Sequence, residues 1–286
     1  MELQRLTANA ATIEAFIEAI DAVDELPPFS EHKMLRIGGG EDAVVVSWGD
    51  ADALVAVSVA AFHAGDSPHW AFEVATSRDA RTPGLERAAI AAAAAAVPRG
   101  APSSLWAHRE LQLDAAEALG YRERRRVLRL EGPFPPAPEP SGVDLGTLPK
   151  ASDADVIALH NRAFAGHPEA SGMTQQRLDE LRGLDWYDPN GVLAALIDGR
   201  LAGYCWTKLH PEGDGEVYLL AVDPDAHGLG IGESLAAAGY AWLQARGARR
   251  AMLWVDGDNE AAIALYRRIG LSPTRANVEL YLAANS

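Results

Sequence analysis

The sequence predicts an α/β (α+β) protein made of two similar units in tandem. Strand-like and helix-like stretches follow one another in the same order in both halves of the 286-residue chain, and a proline-rich stretch separates the halves. This stretch, EGPFPPAPEPSGVD at 131–144, contains five of the seventeen prolines. Because proline fixes φ and removes a backbone donor, it favours a stiff linker. We therefore expect a first domain at 1–132, a linker at 133–144 and a second domain at 145–286.

The first half begins with a helical pattern, ATIEAFIEAIDAV, and continues with apolar runs such as DAVVVSW that are typical of strands. A long alanine-rich stretch, LERAAIAAAAAAV, predicts a second helix. In chain order the predicted elements are a helix at 11–23, strands at 42–48, 51–60 and 70–77, a helix at 85–97, a strand at 103–108, a helix at 114–120 and a strand at 126–132.

The second half repeats this order. Its first two strands, GVLAALI and LAGYCWTKLH, are joined by DGR, a sequence typical of a hairpin turn. The predicted elements are helices near 153–164 and 174–183, strands at 191–197, 201–210 and 216–222, a helix ending near 244, a strand at 249–255, a helix near 259–269 and a strand at 278–283.

Matching residues support an internal duplication. Arg81 precedes a glycine by three residues, as His227 does 146 residues later, and Trp106 and Trp254 are 148 residues apart. Short loop insertions account for the small increase in this separation, from 146 to 148 residues. The alternative is that two unrelated α/β domains share the order of their elements.

The composition limits the kinds of partner. A net charge of −15 argues against binding to nucleic acid or to an anionic membrane, because both need a basic surface. The chain has no apolar run near the roughly 20 residues that span a membrane, and it starts without the features of a signal peptide. Its one cysteine, Cys205, excludes an intramolecular disulfide and suits a reducing compartment. We expect a cytoplasmic protein without a nucleic-acid or membrane partner.

A glycine-rich loop stands between a predicted strand and a predicted helix, in the sequence VDPDAHGLGIGESL at 222–235. Glycine lets the backbone approach a ligand closely, and a helix start directs free N–H groups at a phosphate. The G-x-G-x-x-G fingerprint of dinucleotide-binding proteins fits poorly, because Glu233 stands where the last glycine is required. A P-loop does not fit either, because no lysine follows Gly232. A connection chosen only for tight packing remains an alternative.

The segment His227-Gly-Leu-Gly-Ile-Gly232 resembles the Q/R-x-x-G-x-G/A pyrophosphate loop of acetyl-CoA-dependent N-acetyltransferases of the GNAT superfamily, with histidine in place of Gln or Arg. The segment from Asn259 to Gly270, NEAAIALYRRIG, resembles the N-x-x-A-x-x-L-Y-x-x-x-G-F pattern of the same superfamily, with Leu271 in place of Phe. The resemblance implies a mixed, mostly antiparallel sheet flanked by helices in each unit.

Three further stretches narrow the resemblance to the mycothiol synthase family. They are NRAFAGHPEASGMT at 161–174, YCWTKLH at 204–210 and GEVYLLAVDP at 215–224, and the first half resembles the family's N-terminal domain in LWAHRELQLDAAEALGY. That family consists of tandem GNAT domains that acetylate the cysteinyl amine of Cys-GlcN-Ins, the precursor of mycothiol. The resemblance implies direct transfer from acetyl-CoA in a ternary complex, a thiol-bearing amino-sugar acceptor and no metal. We expect a monomer, because a tandem pair already buries its duplicated surface.

Acetyl transfer to an amine needs a base for the amine and a proton for the departing thiolate. Glu216 begins a strand six residues before Val222, so a regular strand would place both side chains on one face, and we predict that Glu216 is the base, acting through a water. Tyr266 is the predicted acid. The alternatives are an exposed edge-strand carboxylate for Glu216 and a core aromatic for Tyr266.

The expected coenzyme contacts lie at the end of the predicted strand, in the glycine-rich loop and at Asn259. The backbone N–H of Val222 would polarise the acetyl carbonyl, the loop amides would hold the pyrophosphate, and Asn259 would either meet the ligand or only cap its helix. His227 should help less than an arginine would, because histidine is mostly uncharged at neutral pH. The predicted set is Leu220, Ala221, Val222, His227, Gly228, Leu229, Gly230, Ile231, Gly232, Glu233 and Asn259.

The resemblance also implies the residues that contact the acceptor, each of which has packing or a solvated loop as its alternative. They are His167, Glu169, Trp206, Lys208 and His210. Cys205 alternates out of phase with Trp206, so we expect it to be a small buried hydrophobe and not a nucleophile.

The first half lacks this chemistry. The positions that correspond to Glu216, Gly232, Asn259 and Tyr266 hold Trp70, Glu86, Leu111 and Ala116. We therefore predict that the first half is catalytically silent, although Arg81 and Gly84 leave weak coenzyme binding open. Two other functions remain: a GNAT enzyme for another small amine or a protein N-terminus, and a non-catalytic acetyl-CoA-binding protein.

Overall fold

The computed structural model describes residues 4–24, 29–34, 36–37, 43–50, 53–63, 68–136, 144–148, 152–167 and 171–284. Its helices and strands form two units, one made of Met1–Val127 with Ala276–Ser286 (unit 1) and one of Leu128–Arg275 (unit 2). The predicted α+β class is confirmed. Most of the predicted linker at 133–144 lies outside the described residues.

Unit 1 is built mainly from the first half of the chain. Its elements are β1 (Gln4–Leu6), α1 (Ala10–Asp24), α2 (Glu31–Met34), β2 (Ala43–Asp50), β3 (Ala53–His63), β4 (His69–Thr76), α3 (Pro83–Ala96), β5 (Ser103–Ala107), α4 (Glu110–Glu117) and the start of β6 (Arg122–Gly132). Helices α3 and α4 pack on one face of the sheet around Phe72, and α1 packs on the other around Val57 and Val59.

Unit 2 repeats this plan. Its elements are the end of β6, β7 (Asp144–Thr147), α5 (Asp153–Ala163), α6 (Gln175–Arg182), β8 (Val192–Ile197), β9 (Arg200–Leu209), β10 (Asp214–Val222), α7 (Ile231–Ala245), β11 (Arg250–Asp256), α8 (Glu260–Arg268) and the start of β12 (Ser272–Leu282). Helices α7 and α8 cover one face of the sheet, together with Cys205 and Val217, and α5 and α6 cover the other with Tyr204 and Trp206.

The two units exchange their last strands. The order of strands is β1-β2-β3-β4-β5-β12 in unit 1 and β6-β11-β10-β9-β8-β7 in unit 2. Val278–Leu282 of β12 pair antiparallel with Ser103–Ala107 of β5, whereas Leu130 of β6 belongs to the core under α7. Each half of the chain thus supplies the strand that completes the unit built by the other half.

Gly203 lets α7 approach the centre of the sheet in unit 2. A Cβ at this position would lie 2.9 Å from the carbonyl oxygen of Ala221, 3.0 Å from Leu235 and 3.1 Å from Ile231. We expect Gly203→Ala to lower the free energy of unfolding by about 1–3 kcal/mol, because the added methyl overpacks this contact. Urea unfolding measures the change. Gly84→Ala is the matched control, since a Cβ there would meet only Thr82 Oγ1, at 3.8 Å, inside a helix. Equal loss in both variants would contradict the explanation.

Glu73 is a buried carboxylate in β4 of unit 1. Its oxygens accept hydrogen bonds of 2.6 Å from the N–H and the hydroxyl of Ser30, and His108 Nε2 lies 3.4 Å away. Burial alone would raise the pKa of Glu73, but His108, Lys33 and Ser30 outweigh burial and lower it below its ordinary 4.5.

A carboxyl whose pKa is lower in the folded protein than in the unfolded chain contributes stability above its ordinary pKa, and this stability is lost as the pH falls through the folded value. We therefore expect Glu73→Gln to flatten the fall of the urea midpoint below pH 4.5 and to lower the midpoint at neutral pH. The same change at exposed Glu117 should leave the pH dependence as it is in the parent protein. A Glu73→Gln variant with the parent's acid dependence would exclude Glu73 as its source.

Candidate active site

A β-bulge in β10 determines which side chains share a face at the candidate site. Glu216 pairs with Lys208 of β9 and Val217 with Thr207, but Leu219 then pairs with Trp206, so that Tyr218 is the extra residue. A bulge inverts the alternation of side chains beyond it. The expectation that Glu216 and Val222 lie on one face is therefore wrong, because it assumed a regular strand.

Glu216 lies on the face covered by α5 and α6, in an inner strand between β9 and β11. Its residue is only 6% exposed, which contradicts the alternative of an exposed edge-strand carboxylate. Its Oε2 lies 2.7 Å from His210 Nε2, a hydrogen-bond distance. The parallel pairing of β10 with β11 runs from Asp214 to Glu216, and Tyr218 bulges two residues later. The carboxylate thus sits where the two strands separate.

Lys208 shares this face with Glu216, as its neighbour across the strands. Its ammonium nitrogen lies 4.7 Å from the ring centre of Trp186 and 5.5 Å from that of Tyr218, and the two rings are 4.6 Å apart. An aromatic face attracts a cation and orients it. The sequence reasoning missed both aromatic residues. Trp186 lies in a loop after α6 without a recognisable motif, and Tyr218 is placed only by the bulge.

The other predicted acceptor residues are placed differently. His167 Nε2 lies 2.7 Å from Asp256 Oδ2 at the end of β11, a partner that the sequence reasoning also missed. The Trp206 ring is 1% exposed and packs against Tyr187, which is a core position. Glu169 lies outside the described residues. The structure thus brings Glu216, His210 and Lys208 together, and the acceptor contacts of all five predicted residues stay predictions.

The glycine loop leads into α7 through two left-handed residues. Gly228 and Gly230 have φ of 81° and 75°, and a Cβ at either position would have no neighbouring atom within 4 Å. Gly230 is the N-cap of α7 and supplies no side-chain cap, whereas α3, α5, α6 and α8 are each capped by a side chain. An uncapped helix start presents its first N–H groups to an anion. Open space, left-handed glycines and free donors together fit a phosphate group.

The acidic residues near this loop are held by cations. Glu233 lies 3.4 Å from Arg268 of α8, and Asp223 forms an ion pair with Arg162 of α5. Asp223 also accepts a hydrogen bond from the N–H of Asp225. Hydrogen bonding to Arg162 is the main cause that lowers the pKa of Asp223. Two of the three carboxylates that would repel a phosphate therefore each have an arginine beside them.

Asn259 and Tyr266 lie on α8. The Asn259 side chain accepts a hydrogen bond of 3.0 Å from Ala262 N, so it caps the helix. Tyr266 is buried in the core between α7, α8 and the sheet, on the face that also holds Cys205. Burial is the main cause that raises the pKa of the Tyr266 hydroxyl well above 10. Burial also raises the pKa of Cys205 to about 12, consistent with a packing role for that thiol.

Within the described ranges, no group of three or more His, Cys, Asp or Glu side chains is arranged to hold a metal ion. None of the helices there is both long enough and apolar enough to cross a bilayer.

Comparison with known proteins gives one family model and many whole-chain relatives. The model described as "Acetyltransferase (GNAT) family" matches residues 156–271. A mycothiol acetyltransferase of Salinispora arenicola is 38% identical, over 94% of this chain and 91% of that protein. Those of Rhodococcus jostii and Mycolicibacterium smegmatis are 36% and 33% identical, over 94% and 92% of this chain and 93% and 92% of theirs.

Two solved structures share the fold over the whole chain. A GCN5-related N-acetyltransferase from Sphaerobacter thermophilus has a TM-score of 0.73 at 21% identity, covering 99% of this chain and 96% of that one. A tandem GNAT protein from the clavulanic acid biosynthesis pathway has a TM-score of 0.73 at 15% identity, covering 100% of this chain and 99% of that one.

Proposed function

Because this chain belongs to the mycothiol acetyltransferase family of GNAT N-acetyltransferases, we propose that it acetylates the cysteinyl amine of Cys-GlcN-Ins to give mycothiol, by direct transfer in a ternary complex with acetyl-CoA. One observation supports this more than any other. A buried carboxylate, Glu216, lies where β10 and β11 separate, on the strand that leads to an uncapped helix start.

The glycine loop and the end of β10 supply the proposed contacts to the coenzyme. The amides of 230–233 hold the pyrophosphate at the start of α7, and the left-handed Gly228 and Gly230 leave room for it. The end of β10, Leu220–Val222, lies beside the rest of the coenzyme, with the N–H of Val222 directed at the acetyl carbonyl. Acetyl-CoA supplies an acyl group that its thioester activates.

Glu216 accepts the proton of the acceptor amine, through a water, because only the neutral amine has a lone pair to attack with. His210, hydrogen-bonded to the same carboxylate, keeps Glu216 oriented. We thus propose His210 as a positioning residue for Glu216, whereas the resemblance implies that it contacts the acceptor. Lys208, oriented by its contacts with the rings of Trp186 and Tyr218, offers a cation to the oxygen atoms of an amino-sugar acceptor.

Tyr266 supplies the proton for the leaving thiolate. Its hydroxyl is protonated at neutral pH and so has a proton to give, and the raised pKa that burial causes makes it a weaker acid than an ordinary tyrosine. It packs on the face of the sheet opposite to Glu216, so in this proposal the acid and the base act from opposite faces of the sheet.

The test is an endpoint assay read by mass spectrometry, with acetyl-CoA and Cys-GlcN-Ins as substrates. Dyes for free thiols are unsuitable, because the acceptor and the product both carry a thiol. The proposal predicts a gain of one acetyl group on the cysteinyl nitrogen. Glucosaminyl-inositol without cysteine and a peptide with an N-terminal cysteine serve as competing acceptors.

The competing acceptors separate the other functions. Faster acetylation of the peptide or of another small amine would replace the proposed substrate and retain a GNAT enzyme. Coenzyme binding without acetylation of any acceptor would indicate a non-catalytic acetyl-CoA-binding protein.

A further inference from the structure

Unit 1 contains a counterpart of the proposed coenzyme site. Each residue of the strand end and glycine loop of unit 2 has its counterpart in unit 1 at a position 146 residues earlier in the chain. Leu220, Val222, His227 and Gly232 of unit 2 correspond to Val74, Thr76, Arg81 and Glu86 of unit 1. In unit 1 the polar groups at these positions bind one another or a further side chain.

The loop of unit 1 is closed into a helix. Helix α3 starts at Pro83, one residue before Gly84, the counterpart of Gly230. The Thr82 side chain accepts from Leu85 N at 3.1 Å, the Thr82 carbonyl accepts from Glu86 N at 3.0 Å, and Pro83 has no N–H. Gly84 does not adopt a positive φ. Two N–H groups at the start of α3, those of Leu85 and Glu86, therefore bond to Thr82, and Pro83 supplies no donor.

A carboxylate fills the phosphate position. Glu86 is fully buried, and its Oε1 accepts a hydrogen bond of 2.7 Å from the Thr76 hydroxyl. The same oxygen lies 3.4 Å from Arg109 Nη2 and 3.8 Å from Arg81 Nε. Arg81 also donates to the Thr76 carbonyl at 3.0 Å. An anion already occupies this site, and it holds the arginine that would otherwise meet a phosphate.

A side-chain amide blocks the gap between β4 and β5. Gln112 of α4 is fully buried, donates from Nε2 to the carbonyl of Val74 at 2.8 Å and accepts from His108 N at 3.0 Å. The parallel pairing of β4 with β5 runs from Trp70 to Phe72, so Val74 lies where the strands have separated. Strand β4 pairs with β3 without a shift of register, so the bulge of β10 is absent from its described counterpart.

We infer that unit 1 carries its own substitute for the coenzyme, with Glu86 in place of the phosphate and Gln112 across the gap between the strands. The protein therefore binds one acetyl-CoA per chain, in unit 2. This inference rests on the proposed function, because it takes the unit 2 loop as the coenzyme site.

The test counts coenzyme molecules on the full chain, by calorimetric titration with acetyl-CoA and by native mass spectrometry. Gly232→Glu places in unit 2 the carboxylate that unit 1 has, and a Cβ there meets only ordinary contacts, the nearest at 3.5 Å. We expect one equivalent for the parent protein and binding weakened at least about tenfold in the variant. His227→Glu, at an exposed position, repeats the test without a change in the core.

Each result decides between the two proposals. Two equivalents in the parent, or one unweakened equivalent that remains in both variants, would overturn the inference and leave the proposed function standing. If the parent protein binds no acetyl-CoA, both the proposed function and the inferred count of one coenzyme per chain are overturned. One equivalent in the parent that both variants weaken supports both.

Discussion

Glu216→Gln is expected to lower kcat by about 10²–10⁴-fold, the range for removal of a general base. Glutamine has the shape of glutamate and can still bond His210, but it does not accept a proton at neutral pH. The fold and the coenzyme site should therefore stay intact. The measurement is the single-turnover rate of product formation at saturating substrates, with acetyl-CoA affinity determined on the same sample.

Glu212→Gln is the matched control for this substitution. Glu212 lies on the other side of the same imidazole, with its carboxylate 3.7 Å from His210 Nδ1, but its side chain is 60% exposed. It should leave kcat almost unchanged, because exposed ion pairs contribute little. If Glu216→Gln keeps most of the parent's rate, another group takes the amine proton.

Tyr266→Phe is expected to lower kcat by about 10²-fold, at the low end for a general acid, because a thiolate is a better leaving group than an alkoxide. The KM for acetyl-CoA should change little, since the substitution removes one buried oxygen. With acyl donors whose thiols have lower pKa values the loss should shrink, because such thiolates leave without a proton. A merely structural tyrosine would not show this dependence on the leaving group.

Tyr240→Phe controls for the loss of a buried hydroxyl in the same core. The Tyr240 hydroxyl donates to the Met252 carbonyl at 2.9 Å, so its removal should lower stability by about 1 kcal/mol without affecting the leaving group. If both variants lose kcat equally and without dependence on the leaving group, Tyr266 is a packing residue and the thiolate leaves unprotonated.

Local patterns were enough to predict the fold class and much of the candidate site. The order of elements, the glycine loop and the helix that starts at Asn259 depend on residues close together in the chain. The left-handed glycines and the uncapped start of α7 agree with the predicted loop. Glu216 was predicted from its place on a strand, Lys208 and His210 from a resemblance, and the structure brings the three to one face.

The features that the sequence did not reveal depend on pairing between distant segments. The bulge at Tyr218 exists only relative to β9, and the run YLLAV reads like any buried strand. The closing strands RVLRLEG and VELYLA were predicted as strands, but their residue types do not say which sheet they join. Glu86 was recognised from the sequence as the counterpart of Gly232, but its contacts with Thr76 and Arg81 became visible only in the fold.

The exchange of closing strands has a consequence for synthesis on the ribosome. The outer edge of β5 is complete at Ala107, but its partner strand ends at Leu282. At about 5–20 residues per second, roughly 9–35 s pass before that partner has been translated. During this time unit 1 has an open edge that could pair with another nascent chain. Cleavage in the proline-rich segment would also leave two fragments that each lack the strand completing their sheet, so we expect neither half to fold alone as it does in the whole chain.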